Sequence, residues 1–236
     1  MQKRTIIFHY HLFKNAGTSV DRILKRNFGE RWVTAEFDSA GHTNTKAVEA
    51  WIAATPDAVA YSTHTAQGPQ PQVEGVDIIP VLFLRDPISR IQSAYRFEKK
   101  QPVDTWGANL AKTHDLSGYV ETRLARKGDR QCRNFQTARL AALVPGPGSE
   151  VDRALRALEV LQARGVIGLV DDFDASIERL FQRIQPVFPE FSWKSVKANV
   201  SDDSGDPIGP DLQRLLVAQN QADIAVLSVA RQLIGA

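Results

Sequence analysis

One short stretch, residues 5–21 (TIIFHYHLFKNAGTSVD), limits what this chain can fold into more than any other. Its first six residues are a β-branched and aromatic run of the kind that forms a buried strand. After a turn, Gly17 and the two hydroxyl residues behind it suit the start of a helix. Strand, turn and helix N-terminus bring backbone N–H groups, a positive dipole end and Lys14 to one point. The stretch therefore predicts an anion site, most naturally for a phosphate.

Two other interpretations of this stretch bear on that prediction. A Walker A loop places its lysine after the second glycine, whereas Lys14 precedes Gly17, so a nucleotide triphosphatase is a poor first expectation. Thr18 and Asp21 also have the spacing of a capping box on an ordinary helix. Capping and anion binding do not exclude each other, and both interpretations stay open at this point.

The amino-acid composition is typical of a globular protein. The 236 residues suffice for one α/β domain spanning 1–236, and a net charge of +2 gives no ground for expecting nucleic acid or a membrane surface as partner. The single cysteine, Cys132, excludes an internal disulfide and favours a reducing compartment. No apolar run reaches the length of a membrane span, and the N-terminal run is too short and too polar for a signal peptide. We therefore expect a cytoplasmic protein.

The order of predicted elements indicates an α/β fold. Further strands are expected at residues 32–37, 58–62, 76–84 and 166–170, and helices at 43–54, 115–126, 131–143, 149–164, 174–184 and 210–234, so the C-terminal half is helix-rich. Alternating strands and helices favour a central parallel sheet flanked by helices. Lys14, His64 and Arg85 each follow a predicted strand, and ligands of such sheets bind beyond the carboxyl ends of the strands. This topology would gather the three side chains at one edge.

A second motif, RDPISRIQSAY, follows the strand at 76–84. Asp86 suits the N-cap of a helix and Pro87 its first position. Arg85 then lies at the strand end, and Ser89 and Ser93 share the next helix face. Arginine and a serine hydroxyl there predict a second anion site, although an arginine paired with a local carboxylate beside a solvated serine face explains the pattern too.

Together the two motifs closely resemble the cofactor-binding signatures of sulfotransferases, particularly the branch acting on carbohydrate hydroxyls that includes heparan sulfate 2-O-sulfotransferase. The resemblance covers most of the chain in the right order, through NFQT at 134–137, VIGL at 166–169 and Asn220 with Asp223 near the end. The sequence departs from the family where His11-Leu12-Phe13 stands for His-Ile-Pro, and where Leu227-Ser228 replaces the common Leu-Tyr. Those departures concern the subfamily.

The resemblance implies a three-layer, P-loop-like fold and a donor, 3'-phosphoadenosine 5'-phosphosulfate. By analogy the 5'-phosphosulfate would be held by Lys14, Asn15, Ala16, Gly17, Thr18 and Ser19, and the 3'-phosphate by Arg85 and Ser93. Lys14, a mobile point cation, would follow charge growing on the leaving phosphate. The sulfuryl group carries less charge than a phosphoryl group, so no metal is expected, and the sequence shows no ligand cluster for one.

A hydroxyl acceptor requires a base, and His64 is the candidate. It follows a predicted strand where the 2-O-sulfotransferase branch places a catalytic histidine, and imidazole accepts a proton near neutral pH. His42 competes for that role, and a buried structural histidine is the alternative. His9 and His11 are expected to pack or to orient the loop.

The acceptor, a hydroxyl of a carbohydrate or of a glycosylated small molecule, has weaker signals. The arginine-rich segment 123–139 would attract an acidic glycan or form a solvated helix face. Asn134, Gln136 and Arg139 are expected to line the acceptor cleft or contact the nucleotide. Lys197 and Asn199 would belong to a lid. A non-catalytic sensor of the nucleotide and a P-loop kinase-like phosphotransferase are the alternative functions.

Overall fold

The computed structural model describes residues 3–38, 43–195 and 208–235. Its centre is a five-stranded sheet of β1 (Arg4–Tyr10), β2 (Trp32–Thr34), β3 (Ala60–Thr63), β4 (Val76–Leu84) and β5 (Val166–Leu169). The spatial order is β2-β3-β1-β4-β5, and every pairing is parallel. The expected α/β architecture with a parallel sheet is confirmed.

The helices are α1 (Gly17–Phe28), α2 (Thr45–Ala54), α3 (Pro87–Lys100), α4 (Trp106–Thr113), α5 (Leu116–Ala125), α6 (Phe135–Leu143), α7 (Glu150–Arg164), α8 (Phe173–Ile184), α9 (Pro210–Gln219) and α10 (Gln221–Ile234). Of these described helices, none is long and apolar enough to cross a membrane.

Both faces of the sheet are covered, because alternate residues of a strand point to opposite sides. In β1, Ile6 and Phe8 pack into a core shared with α2, α6, α7 and α10. Ile7, between them, packs with α1 and α8 on the opposite face. A separate apolar cluster joins α3, α4, α5 and α9 beside the sheet. The result is a layered α/β structure in which β1, buried on both faces, is the central strand.

Register places the strand ends side by side. Tyr10, the last residue of β1, pairs with Thr63 of β3 and with Leu82 of β4. The loops that follow β1, β3 and β4 therefore leave the sheet at the same edge.

Several element boundaries differ from expectation. The strand expected at 32–37 ends at Thr34, and α4 lies where no element was expected. The helix expected from residue 131 begins only at Phe135, because Asn134 has a left-handed backbone with φ of 42°. The helix expected at 210–234 is broken into α9 and α10 at Asn220. The fully buried Asn220 amide donates to the carbonyls of Cys132 and Leu216, 3.0 and 2.9 Å away, and this bonding accompanies the break.

The buried carboxylate of Asp223 fastens α10 to the start of α6. It accepts from the backbone N–H groups of Gln136 (3.1 Å) and Thr137 (2.7 Å) and from the Thr137 hydroxyl (2.7 Å). The first N–H groups of a helix need such partners, since none exists within the helix. Asp223 is 1% exposed, so water does not replace it.

We expect Asp223→Ala to lower the free energy of unfolding by about 3 kcal/mol or more, because buried donors lose a charged acceptor. Urea denaturation measures the change. Asp211→Ala is the matched control, since the Asp211 side chain on α9 is 95% exposed, and it should change stability by less than about 0.5 kcal/mol. Equal stability of the two variants would contradict this account of α6.

Candidate functional site

A cavity of about 530 Å³ opens at the edge where β1, β3 and β4 end. Among the residues predicted to act together, Lys14, Ala16, Gly17, Thr18, Ser19, His64, Arg85, Ser89 and Ser93 line it. Parallel strand ends and helix N-termini converge here, which is the usual ligand position in an open α/β sheet. Further lining residues that the sequence analysis did not assign to the site include His11, Phe13, Arg22, Arg96 and Phe97.

The loop before α1 has a strained backbone. Lys14 and Ala16 both have positive φ, 64° and 59°, a region that residues with a side chain rarely occupy. Gly17 follows, and its lack of a side chain is required: an added Cβ would lie 1.9 Å from Cδ2 of His11. The strain is of the kind that collects at ligand sites. The loop is followed by the first turn of α1, whose residues Gly17, Thr18 and Ser19 line the cavity.

Gln136 holds the two predicted anion motifs against each other. Its side-chain oxygen accepts from Asn15 Nδ2 (2.8 Å) and from the backbone N–H of Arg85 (2.9 Å). Its side-chain nitrogen donates to the Arg85 carbonyl at 2.8 Å. Asn15 also donates to the Phe83 carbonyl at 2.7 Å. Because Gln136 and Asn15 are each 1% exposed, both side chains act inside the protein.

These contacts correct two predictions. Asn15 was expected to contact the donor, and Gln136 the acceptor or the nucleotide, but both side chains point inward and lie outside the cavity lining. Asn134 likewise faces the protein, where its side-chain oxygen accepts from the N–H groups of Ala222 and Asp223. Arg139 donates to the carbonyls of His64 and Ala66 at 2.9 and 2.8 Å, so it fixes the chain after β3. Asn134, Gln136 and Arg139 all bond within the protein and none of them lines this cavity, and their part in an acceptor cleft stays a prediction.

Other predictions fall outside this arrangement. Lys197, Asn199 and His42 lie outside the described residues. In the arginine-rich segment 123–139, Arg123 is 7% exposed and is paired with Glu98 and Asp129 at 2.7 and 2.9 Å. The prediction of a solvated helix face is therefore wrong for Arg123. Its positive charge is paired with the carboxylates of Glu98 and Asp129.

The second motif has the predicted helix start. Asp86 caps α3 by accepting from the Ser89 N–H at 2.8 Å, and Pro87 occupies the first helical position. Arg85 Nη1 donates to the Lys14 carbonyl at 3.2 Å, which joins the two motifs directly. Ser93, one turn beyond Ser89, is 7% exposed and lines the cavity.

The cavity is strongly cationic. Four permanent cations line it, Lys14, Arg22, Arg85 and Arg96, against Asp86 and Asp171. Asp86 is the N-cap of α3, and Asp171 is paired with Arg231. Burial, followed by the positive charges of Arg85 and Arg96, lowers the pKa of the Lys14 ammonium. Crowded cations of this kind favour an anionic ligand, whose binding relieves their repulsion.

His64 has a carboxylate partner on its inner nitrogen. Its Nδ1 lies 2.6 Å from Glu36 Oε1, and Glu36 also accepts from the His64 backbone N–H. Burial opposes ionisation of Glu36, but hydrogen bonds from His64 and Thr65 leave its pKa lowered. In the neutral imidazole this contact fixes the proton on Nδ1 and leaves Nε2 as the acceptor. The His64 side chain is 51% exposed, so that nitrogen is accessible at the cavity.

The imidazole of His11 lies beside that of His64. His11 and His64 have ring centroids 3.8 Å apart, and both line the cavity. His11 Nδ1 lies 2.8 Å from one oxygen of Asp21, and His9 Nδ1 lies 2.8 Å from the other. His9 and His11 are expected to pack or to orient the loop, and in the structure the Asp21 carboxylate orients both of their rings.

The capping box expected of Thr18 and Asp21 is wrong. The N-cap of α1 is Ala16, with no side-chain hydrogen bond, and Asp21 turns to the two histidines instead. The spacing of Thr18 and Asp21 alone suggests a capping box, but it takes no account of the imidazoles of His9 and His11, which compete for Asp21. Burial opposes ionisation of Asp21, yet hydrogen bonds from His11 and His9 hold the pKa of its carboxyl well below its ordinary value.

The same three side chains form a candidate metal cluster, which the sequence analysis did not detect. One ligand atom from each of His9, His11 and Asp21 lies within 4.8 Å of the others. The N–O separations of 2.8 Å match hydrogen bonds and are shorter than the roughly 3.3 Å between ligand atoms around a tetrahedral zinc. The arrangement is satisfied by protons on the two Nδ1 atoms.

We expect Asp21→Asn to lower the free energy of unfolding at pH 7 by about 1 to 3 kcal/mol, since an amide oxygen cannot accept from both histidines. The folded-state pKa of Asp21 lies below its unfolded value of 3.8, so the ionised carboxylate stabilises the fold above that pH and loses this effect as pH falls below it. The difference between wild type and variant should therefore narrow below about pH 4. Urea denaturation at a series of pH values measures it, and a difference that stays constant into acid would contradict this role.

Fold and cavity together define an α/β protein with a cationic ligand site at the carboxyl edge of a parallel sheet. No protein-family model matches the chain. It is 38% identical over 243 residues to an uncharacterized protein of Archaeoglobus fulgidus, an alignment covering 94% of each chain. The chain belongs to the same family as that archaeal protein.

Proposed function

We propose that the protein is a sulfotransferase that moves a sulfuryl group from 3'-phosphoadenosine 5'-phosphosulfate to a hydroxyl of a carbohydrate or glycosylated small molecule. The observation that carries this proposal is that two motifs resembling sulfotransferase donor sites, 71 residues apart at Lys14 and Arg85, line one cavity and bond to each other. A cavity of about 530 Å³ suits a ligand of nucleotide size.

The donor's two anionic ends have matching surroundings. The 5'-phosphosulfate would lie on the first turn of α1, where Gly17 and Thr18 would offer backbone N–H groups and Thr18 and Ser19 their hydroxyls, beside Lys14. The 3'-phosphate would lie against Arg85 and Ser93 at the start of α3. In this proposal the sheet and its first loop are a P-loop-like fold without a Walker A lysine.

Transfer follows an in-line displacement. The acceptor oxygen forms a bond to sulfur as the bond between sulfur and the bridging phosphate oxygen breaks, and the hydroxyl proton passes to His64 Nε2. Glu36 holds the imidazole in the required tautomer and stabilises its positive charge. Lys14 stabilises the charge that develops on the departing adenosine 3',5'-bisphosphate. The two groups flank the reaction as base and electrostatic stabiliser.

The setting of the reaction is part of the proposal. A single cysteine, buried and with its pKa raised by burial to about 12, suits a reducing compartment, so we place the reaction in the cytoplasm. The cavity carboxylates Asp86 and Asp171 are both engaged within the protein. This arrangement gives a magnesium-dependent kinase little support, since such an enzyme needs carboxylates that reach the metal.

Lys14→Ala should lower kcat by roughly 10²- to 10³-fold, the usual cost of losing one stabiliser of developing charge. Transfer from labelled donor to a panel of glycans and hydroxylated metabolites measures it. Lys46→Ala is the control, because the Lys46 side chain on α2 is 95% exposed and bonds Glu49 away from the cavity. Absence of transfer by wild type to any acceptor, with Lys14→Ala binding donor as wild type does, would refute the proposal.

His64→Gln should lower kcat by roughly 10²- to 10⁴-fold while the Kd for adenosine 3',5'-bisphosphate changes little, since the base acts on the acceptor. Glu36→Gln should give a smaller loss of kcat, as it removes only the orienting charge. Nucleotide binding by calorimetry and turnover by labelled transfer separate the two effects. Tight nucleotide binding with no transfer by wild type, and no effect of either variant, would indicate a nucleotide sensor instead.

A further inference from the structure

The imidazole of His11 is largely buried, and one of its edges faces the first residue of α1. Its Cδ2–Nε2 edge packs on Gly17, where an added Cβ would lie 1.9 Å from Cδ2 and 2.2 Å from Nε2. Gly17 is the first residue of α1, and both residues line the cavity. Nε2 of His11 has no hydrogen-bond partner among the residues that the structure describes, whereas Nδ1 is held by Asp21.

The carboxylate of Asp21 serves both His9 and His11. His9 is fully buried, and that burial lowers its pKa despite the hydrogen bond to Asp21. Of the two rings, His11 is the one that lines the cavity.

We propose that His11 is a ligand-binding residue of this site, donating from Nε2 to an oxygen of the anion seated on the first turn of α1. This inference rests on the proposed function for the identity of that anion, the 5'-phosphosulfate of the donor. The two neighbouring imidazoles then have separate roles: His11, held by Asp21, faces the donor, and His64, held by Glu36, faces the acceptor.

The test compares three variants by calorimetry with adenosine 3',5'-bisphosphate and with inorganic pyrophosphate. His11→Asn keeps an amide donor near Asp21 but removes Nε2, and should weaken binding of both probes about tenfold or more, the effect of losing a hydrogen bond to a charged group. His11→Gln, which restores an uncharged donor near the Nε2 position, should recover part of the loss. His9→Asn, on the same carboxylate but away from the cavity, should bind both probes within about twofold of wild type.

Thermal melting shows which variants are folded, and ¹⁵N NMR of the histidine rings gives a second readout: pyrophosphate should shift His11 Nε2 and leave His9 Nε2 unmoved. A folded His11→Asn that binds both probes as wild type does would overturn the inference. Wild type that binds pyrophosphate through His11 but ignores adenosine 3',5'-bisphosphate would support His11 as an anion ligand and refute the proposed donor. Binding of either probe that a metal chelator abolishes would overturn the proton-based account of the cluster.

Discussion

The side chain of one buried glutamine joins the two predicted anion motifs of this protein. Gln136 bonds simultaneously to Asn15 in the first loop and to both backbone groups of Arg85 at the end of β4. Parallel pairing brings the two strand ends to the same edge, but it does not fix the loops beyond them. Gln136 does, because an amide buried at 1% exposure must keep its partners, and each partner belongs to a different anion motif.

The helix that carries Gln136, α6, is fixed in turn by residues of α10. Asp223 of α10 caps α6. At the same helix start, the backbone N–H of Asn134 donates to the Asn220 side-chain oxygen, and the Asn134 side-chain oxygen accepts from the N–H of Ala222. A buried relay of polar groups thus runs from α10 through α6 to the loop before α1. Such a buried network favours one geometry, which is what a site requiring two oxyanion pockets at a set separation needs.

Local sequence predicts those parts of the molecule that depend on local physics. The strand 76–84 and the start of α3 at Asp86-Pro87 are as expected, because apolar runs and capping residues specify them without help from elsewhere. The gathering of Lys14, His64 and Arg85 follows from parallel topology alone. The polar contacts between distant residues do not follow from local sequence. At the break between α9 and α10, the Asn220 amide donates to Cys132, 88 residues away. Asp21 bonds to the imidazoles 10 and 12 residues before it and does not cap α1. The sequence predicts ligand contacts for Asn15 and Gln136 because it shows their residue types and spacing but not the buried partners that the fold gives them.

The central claim is that one nucleotide with two phosphates spans both motifs, and a crystal structure with adenosine 3',5'-bisphosphate tests it most directly. The account predicts the 5'-phosphate on the N–H groups of Gly17 and Thr18 beside Lys14, and the 3'-phosphate against Arg85 and Ser93. A nucleotide that binds outside this cavity, or that contacts only one motif, would contradict it.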